Sequence, residues 1–131
     1  MALKDFTMYR DFKTLKTMIR NDVIRIMPKA HKYPDALYLK EHCGVCVRYM
    51  AAASITRDPM AKINLADELL FEIYLIRDEI EEQEEAKVIS LGQAARIYLQ
   101  ITKIEQQLLR YRNHFSKMSE SDGLRTTEST I

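Results

Sequence analysis

Apolar residues recur three and four apart along most of the chain, with polar residues between them. Phe12, Leu15, Ile19, Val23 and Ile26 trace one such stripe and predict a first helix from about Lys4 to Lys29. Pro28 is expected to close it. Residues 30–36, AHKYPDA, read as a turn around Pro34, because a proline pushes the residue before it out of helical geometry. A second helix follows from about Ala36 to Ile55, with Leu39, Cys43, Cys46, Val47, Met50 and Ala53 on its inner face.

The third helix begins at a start signal. Asp58 can accept from a free amide of the first turn, and Pro59 suits the first helical position, where its missing donor would be unsatisfied anyway. Its apolar stripe runs through Ile63, Ala66, Leu70, Ile73 and Ile80 into a run of glutamates. Ser90 with Gln93 three residues on is a capping box, and it opens a fourth helix. That stripe is Ala94, Ile97, Tyr98, Ile101, Ile104, Leu108, Tyr111 and Phe115. Each helix must bury its stripe against the others. The expected fold is therefore all-α, an up-down-up-down four-helix bundle over residues 1–118. Residues 119–131, with almost no apolar content, are expected to be a flexible C-terminal tail.

Composition agrees with this. A chain of 131 residues suffices for one core, and 47% hydrophobic with 30% charged residues is a globular balance. Three Gly and three Pro are too few for a turn-rich sheet protein. No segment has the apolar length of a signal peptide core or a membrane span, so the expected location is cytoplasmic.

Chemistry-bearing motifs are sparse. A di-iron bundle needs Glu-x-x-His on two helices, and none occurs. There is no nucleophile elbow and no glycine-rich phosphate loop, so no enzymatic activity and no cofactor are expected. Cys43-Gly44-Val45-Cys46 has CxxC spacing, yet His31, His42 and His114 supply no matching ligand pair. Both cysteines lie on the apolar stripe of their helix and read as buried thiols, with no metal and no disulfide. Tyr9, Tyr49, Tyr74, Tyr98 and Tyr111 could stack on bases, but at helical spacing they read as core residues with the hydroxyl at the edge.

Charge is the more informative signal. The chain nets +1, which conceals a strong segregation. Residues 1–32 hold eight Lys or Arg against three Asp, net +5, and residues 59–89 hold three against nine acids, net −6. Residues 90–118 hold five Lys or Arg against Glu105, net +4. One reading is solvated faces. The other is complementarity between subunits: in a cyclic homo-oligomer a basic face of one copy can meet an acidic face of the next, and remaining cations can hold phosphates. The cations singled out for nucleic-acid binding are Lys13, Lys16 and Arg20, three and four apart on one helical face, with Arg110 and Arg112 beside Tyr111.

Two segments, LADELLFEIYLIRDEI (65–80) and AKVISLGQAARIYLQITKIEQQLLRYR (86–112), together with the Lys32-Tyr33-Pro34 connection, carry a family resemblance. Over about Tyr9 to Lys117 the chain resembles the four-helix-bundle family of 23S rRNA intervening-sequence proteins, in the branch of accessory variability determinants of diversity-generating retroelements. The resemblance implies a pentameric barrel that binds a reverse transcriptase and contacts nucleic acid through basic surface residues; the excess positive charge on the Lys13, Lys16, Arg20 face leads us to expect weak, sequence-independent binding to RNA or RNA–DNA hybrid. The expected function is thus a non-enzymatic oligomeric adaptor for a nucleic-acid enzyme. The alternative is a structural or regulatory bundle that binds protein only.

Overall fold

The computed structural model describes residues 6–129, with side chains other than those of residues 30–33 and 121–129. Four α-helices carry the chain: α1 (Thr7–Asp22), α2 (Lys29–Ile55), α3 (Pro59–Glu85) and α4 (Leu91–Ser129), with a single 3₁₀ turn at Ile24–Ile26 between the first two. No strand occurs among the described residues. The protein is all-α.

The buried set follows the predicted stripes closely. Phe12, Leu15 and Ile19 of α1, Leu39, Cys46 and Met50 of α2, Ile73, Ile76 and Ile80 of α3, and Ile97, Ile101 and Ile104 of α4 are essentially inaccessible to solvent. These belong to one hydrophobic cluster shared by all four helices. At about 25 cal/mol per Å² of apolar surface, that burial is the main term holding the helices together. The packing is unequal: α3 lies tightly against α4 and α2, α1 leans on α4, and α1 meets α2 at few points.

Both predicted caps form. The Asp58 carboxylate accepts from the Ala61 amide at 3.2 Å. Ser90 and Gln93 bond reciprocally, the Gln93 amide donating to Ser90 Oγ at 3.1 Å and the Ser90 amide to Gln93 Oε1 at 2.9 Å. The α3–α4 connection is tight because α3 ends in a Schellman turn: Val88 N–H reaches the Gln83 carbonyl and Lys87 N–H the Glu84 carbonyl, each at 2.9 Å. This geometry places Lys87 at φ 60°, the left-handed region.

Three boundaries differ from expectation. Helix α1 stops at Asp22, not near Lys29, and the 3₁₀ turn changes the phase of the stripe, so Ile24 is buried and Ile26 is exposed. Pro34 lies inside α2, which starts at Lys29 after an extended Pro28. A single turn precedes Pro34, so it denies a donor to only one carbonyl near the helix start. Finally, the α4 backbone stays helical to Ser129, through most of the segment 119–131 assigned to a tail. The expected start at Lys4 and the last two residues lie outside the described residues.

Candidate nucleic-acid interface

Because α1 and α2 touch so little, a cleft of about 410 Å³ opens between them. From α1 it takes Tyr9, Lys13, Lys16 and Arg20, at steps of three and four along one helical face, with Thr17 beside them. From α2 it takes Leu39, Lys40, Cys43 and Val47, again one face. The floor is apolar, since Ile19, Ile24, Leu39 and Cys43 are buried. The rim is cationic, since Lys13, Lys16, Arg20 and Lys40 are all exposed. Among the described residues none of these four cations is in an ion pair. Lys13 Nζ sits 5.7 Å from the Tyr9 ring centroid, a cation–π contact that leaves its charge available.

The Cys43 thiol lies in the floor beneath Lys16. Burial pushes it up to about 11, with the Lys16 charge opposing the rise. Cys46, deeper still, is raised further by burial, by Cys43 and by Glu72. Both cysteines are free and buried and stay protonated at neutral pH, so neither is a nucleophile. Among the described residues no three or more of His, Cys, Asp and Glu converge as a metal ion would require.

The five cations nominated from sequence do not form one site. Lys13, Lys16 and Arg20 line the α1–α2 cleft, while Arg110 and Arg112 lie on α4. Arg112 is engaged inside the chain: its Nε donates to Asp67 Oδ1 of α3 at 2.7 Å. Arg110 is exposed and in no ion pair among the described residues. Other rungs consume charge as well. Arg77 of α3 pairs with Glu105 of α4, Lys103 of α4 reaches Asp11 of α1 at 3.4 Å, and His42 of α2 bonds Glu72 of α3.

Two features escaped the sequence reading. Lys40 joins the cleft rim; its signal was its place three residues before Cys43 on the same face of α2. Glu79 and Gln83, in a segment read as solvated acid, are both buried. Of the tyrosines, Tyr9, Tyr49, Tyr98 and Tyr111 pack against the core cluster, and the Tyr98 hydroxyl donates to Glu84 Oε2 at 2.9 Å. Tyr74 departs from the expected core role and is exposed.

No family model, curated protein or solved structure matches the chain. Among the described residues no helix is long and apolar enough to cross a membrane.

Proposed function

We propose that this chain is a non-catalytic up-down-up-down helical bundle that binds nucleic-acid phosphates in the α1–α2 cleft and acts as an adaptor for a nucleic-acid enzyme. The observation that carries the reading is the rim itself: Lys13, Lys16 and Arg20 of α1 and Lys40 of α2, exposed and without an acid partner among the described residues, around one concave surface. Like charges at helical spacing repel by a few tenths of a kcal/mol per pair, and a polyanion removes that cost on binding. Tyr9 and the apolar floor offer a surface on which a base can rest, so a single strand fits better than a duplex backbone. The identity of the enzyme partner, a reverse transcriptase, comes from the family resemblance alone.

Four phosphate contacts on a single strand give a salt slope of roughly −2.8, or about a 50-fold loss of affinity between ~50 and ~200 mM salt. Fluorescence anisotropy with labelled single-stranded RNA and with RNA–DNA hybrid tests this. The Lys13→Glu, Lys16→Glu, Arg20→Glu triple variant is expected to abolish binding with the helical circular dichroism intact. Lys40→Glu alone should weaken binding and flatten the slope by about one contact's worth, ~0.7. Absence of binding by the unmutated chain at low salt would leave only the protein-binding alternative.

A further inference from the structure

The face of the molecule away from the α1–α2 cleft is the outer surface of the α3–α4 pair, and it is not finished as a solvent surface. It exposes four large apolar side chains: Phe71 (57% accessible) and Tyr74 (64%) on α3, Leu99 (73%) and Leu109 (48%) on α4. Scattered exposed leucines are ordinary, but two aromatic residues on α3 beside Leu109 on α4 form an apolar patch of the kind that marks an interface, with Leu99 standing apart further along α4.

The ladder between the two helices fixes their relative heights. Asp67 meets Arg112, Arg77 meets Glu105, and Glu84 meets Tyr98, so positions climb α3 as they descend α4. Phe71 and Tyr74 therefore share a level with Leu109, between the first two rungs. Asp78 and Glu81 share a level with Leu99, between the second and third. The seam's own charges are spent in these rungs. Glu68 and Glu85 on α3, and Arg96 and Arg110 on α4, remain exposed and in no ion pair among the described residues.

We propose that this face binds a second copy of the chain through a two-fold axis parallel to the helices. That operation keeps heights and exchanges sides, so α3 of one copy lies along α4 of the other, twice. Phe71 and Tyr74 then cover Leu109 of the other copy, Glu68 comes to the level of Arg110, and Glu85 to that of Arg96. The alternative two-fold, perpendicular to the helices, sets α3 against α3 and acid against acid. Charge selects the first. The contact closes at two copies, in contrast to the ring of five that the family resemblance implies, and it leaves both α1–α2 clefts facing outward.

A face from Asp67 to Glu85 is about 27 Å long at 1.5 Å per residue and roughly 20 Å wide for two helices. It buries on the order of 1,000 Å² over both partners, at the low end for a specific interface, so a concentration-dependent, salt-sensitive dimer is expected.

Light scattering on the full chain across a concentration series should give twice the 15.4 kDa chain mass at low salt. A charge-exchange pair locates the face without reference to side-chain detail. The Glu68→Lys, Glu85→Lys chain and the Arg96→Glu, Arg110→Glu chain should each be monomeric, with helical circular dichroism unchanged. Mixed together they should recover the dimer mass. Three results overturn the proposal: an unmutated chain that stays monomeric at low salt and high concentration, an unmutated assembly larger than two, or exchange variants that dimerise alone or fail to pair when mixed.

Discussion

Glu79→Gln should make this protein more stable at pH 8 and leave it unchanged near pH 4. Glu79 of α3 is 8% accessible, and its Oε1 accepts from Gln83 Nε2 at 3.0 Å. The same amide nitrogen donates its other N–H to Asp35 Oδ2 of α2 at 3.1 Å, so both its donors are spent on carboxylates, and the other end of the Gln83 amide, Oε1, is buried without a partner among the described residues. Burial pushes the Glu79 carboxyl from 4.5 up to about 7; the Gln83 bond opposes this, and the charges of Asp35 and Glu82 add to it.

The sign follows from proton counting. Between pH ~4.5 and ~7 the folded chain holds a proton on Glu79 that the unfolded chain has already released. Stability therefore falls as pH rises through that window and is level above it. A shift of that size, at 1.36 kcal/mol per unit, corresponds to roughly 3 kcal/mol. Glutamine keeps the acceptor for Gln83 but forfeits about 1 kcal/mol of charge assistance in that bond, which leaves a net gain of about 2 kcal/mol at pH 8. Urea unfolding followed by circular dichroism reads this as a midpoint higher by about 1 M at pH 8, given a slope near 2 kcal/mol per M. If the variant is no more stable at pH 8, or gains as much at pH 4 as at pH 8, Glu79 is not a carboxylate held in an unfavourable environment.

Two further outcomes follow from the burial of the cysteines and the backbone at Lys87. Cys43 and Cys46 should react with an aromatic disulfide reagent only as fast as the chain unfolds, and Cys46→Ala should cost about 1–3 kcal/mol through lost packing, read by urea unfolding. Lys87→Gly should raise the unfolding midpoint by about 0.5–1 kcal/mol in free energy, because only Lys87 among the non-glycine described residues takes positive φ, where glycine has no Cβ penalty. A destabilised Lys87→Gly chain would show that the lysine side chain contributes more than its backbone costs.

The helices were legible because one physical signal dominates them: stripes at helical spacing with polar punctuation at Asp58-Pro59 and Ser90-x-x-Gln93. Their ends were less so. Pro34 reads as a break in any local view, yet one turn of helix before it suffices for α2 to carry it. Ile26 fits the α1 stripe by count and misses it in space, because a 3₁₀ turn advances the chain with a different period from an α-helix. Glu79 was missed for the converse reason. Its neighbours Ile76, Ile80 and Gln83 are buried, so its position belonged to the inner stripe, but a glutamate among six acids from Asp78 to Glu85 invites assignment to water by residue type alone.

Net charge by segment identified the helices that carry cations but not the cations that remain free. On α4, Arg112 and Lys103 face acids of α3 and α1, so two of the five cations in residues 90–118 are answered within the chain. Helix α1 is different because of packing, not composition. It leans on α4 and stands off from α2, so its Lys13–Arg20 face looks across an open cleft at Lys40, another cation, where a closely packed bundle would have brought an acid or an apolar side chain. Like charges cannot draw the two helices together, and filling the gap with protein would require burying four ammonium and guanidinium groups. The cleft thus stays open for the same electrostatic reason that it suits a polyanion. A double replacement, Lys16→Leu with Lys40→Leu, removes the repulsion and supplies apolar surface to both walls. It is expected to raise thermal stability while weakening RNA binding in the same anisotropy assay. Gain of stability with undiminished binding would separate the cleft from the nucleic-acid site.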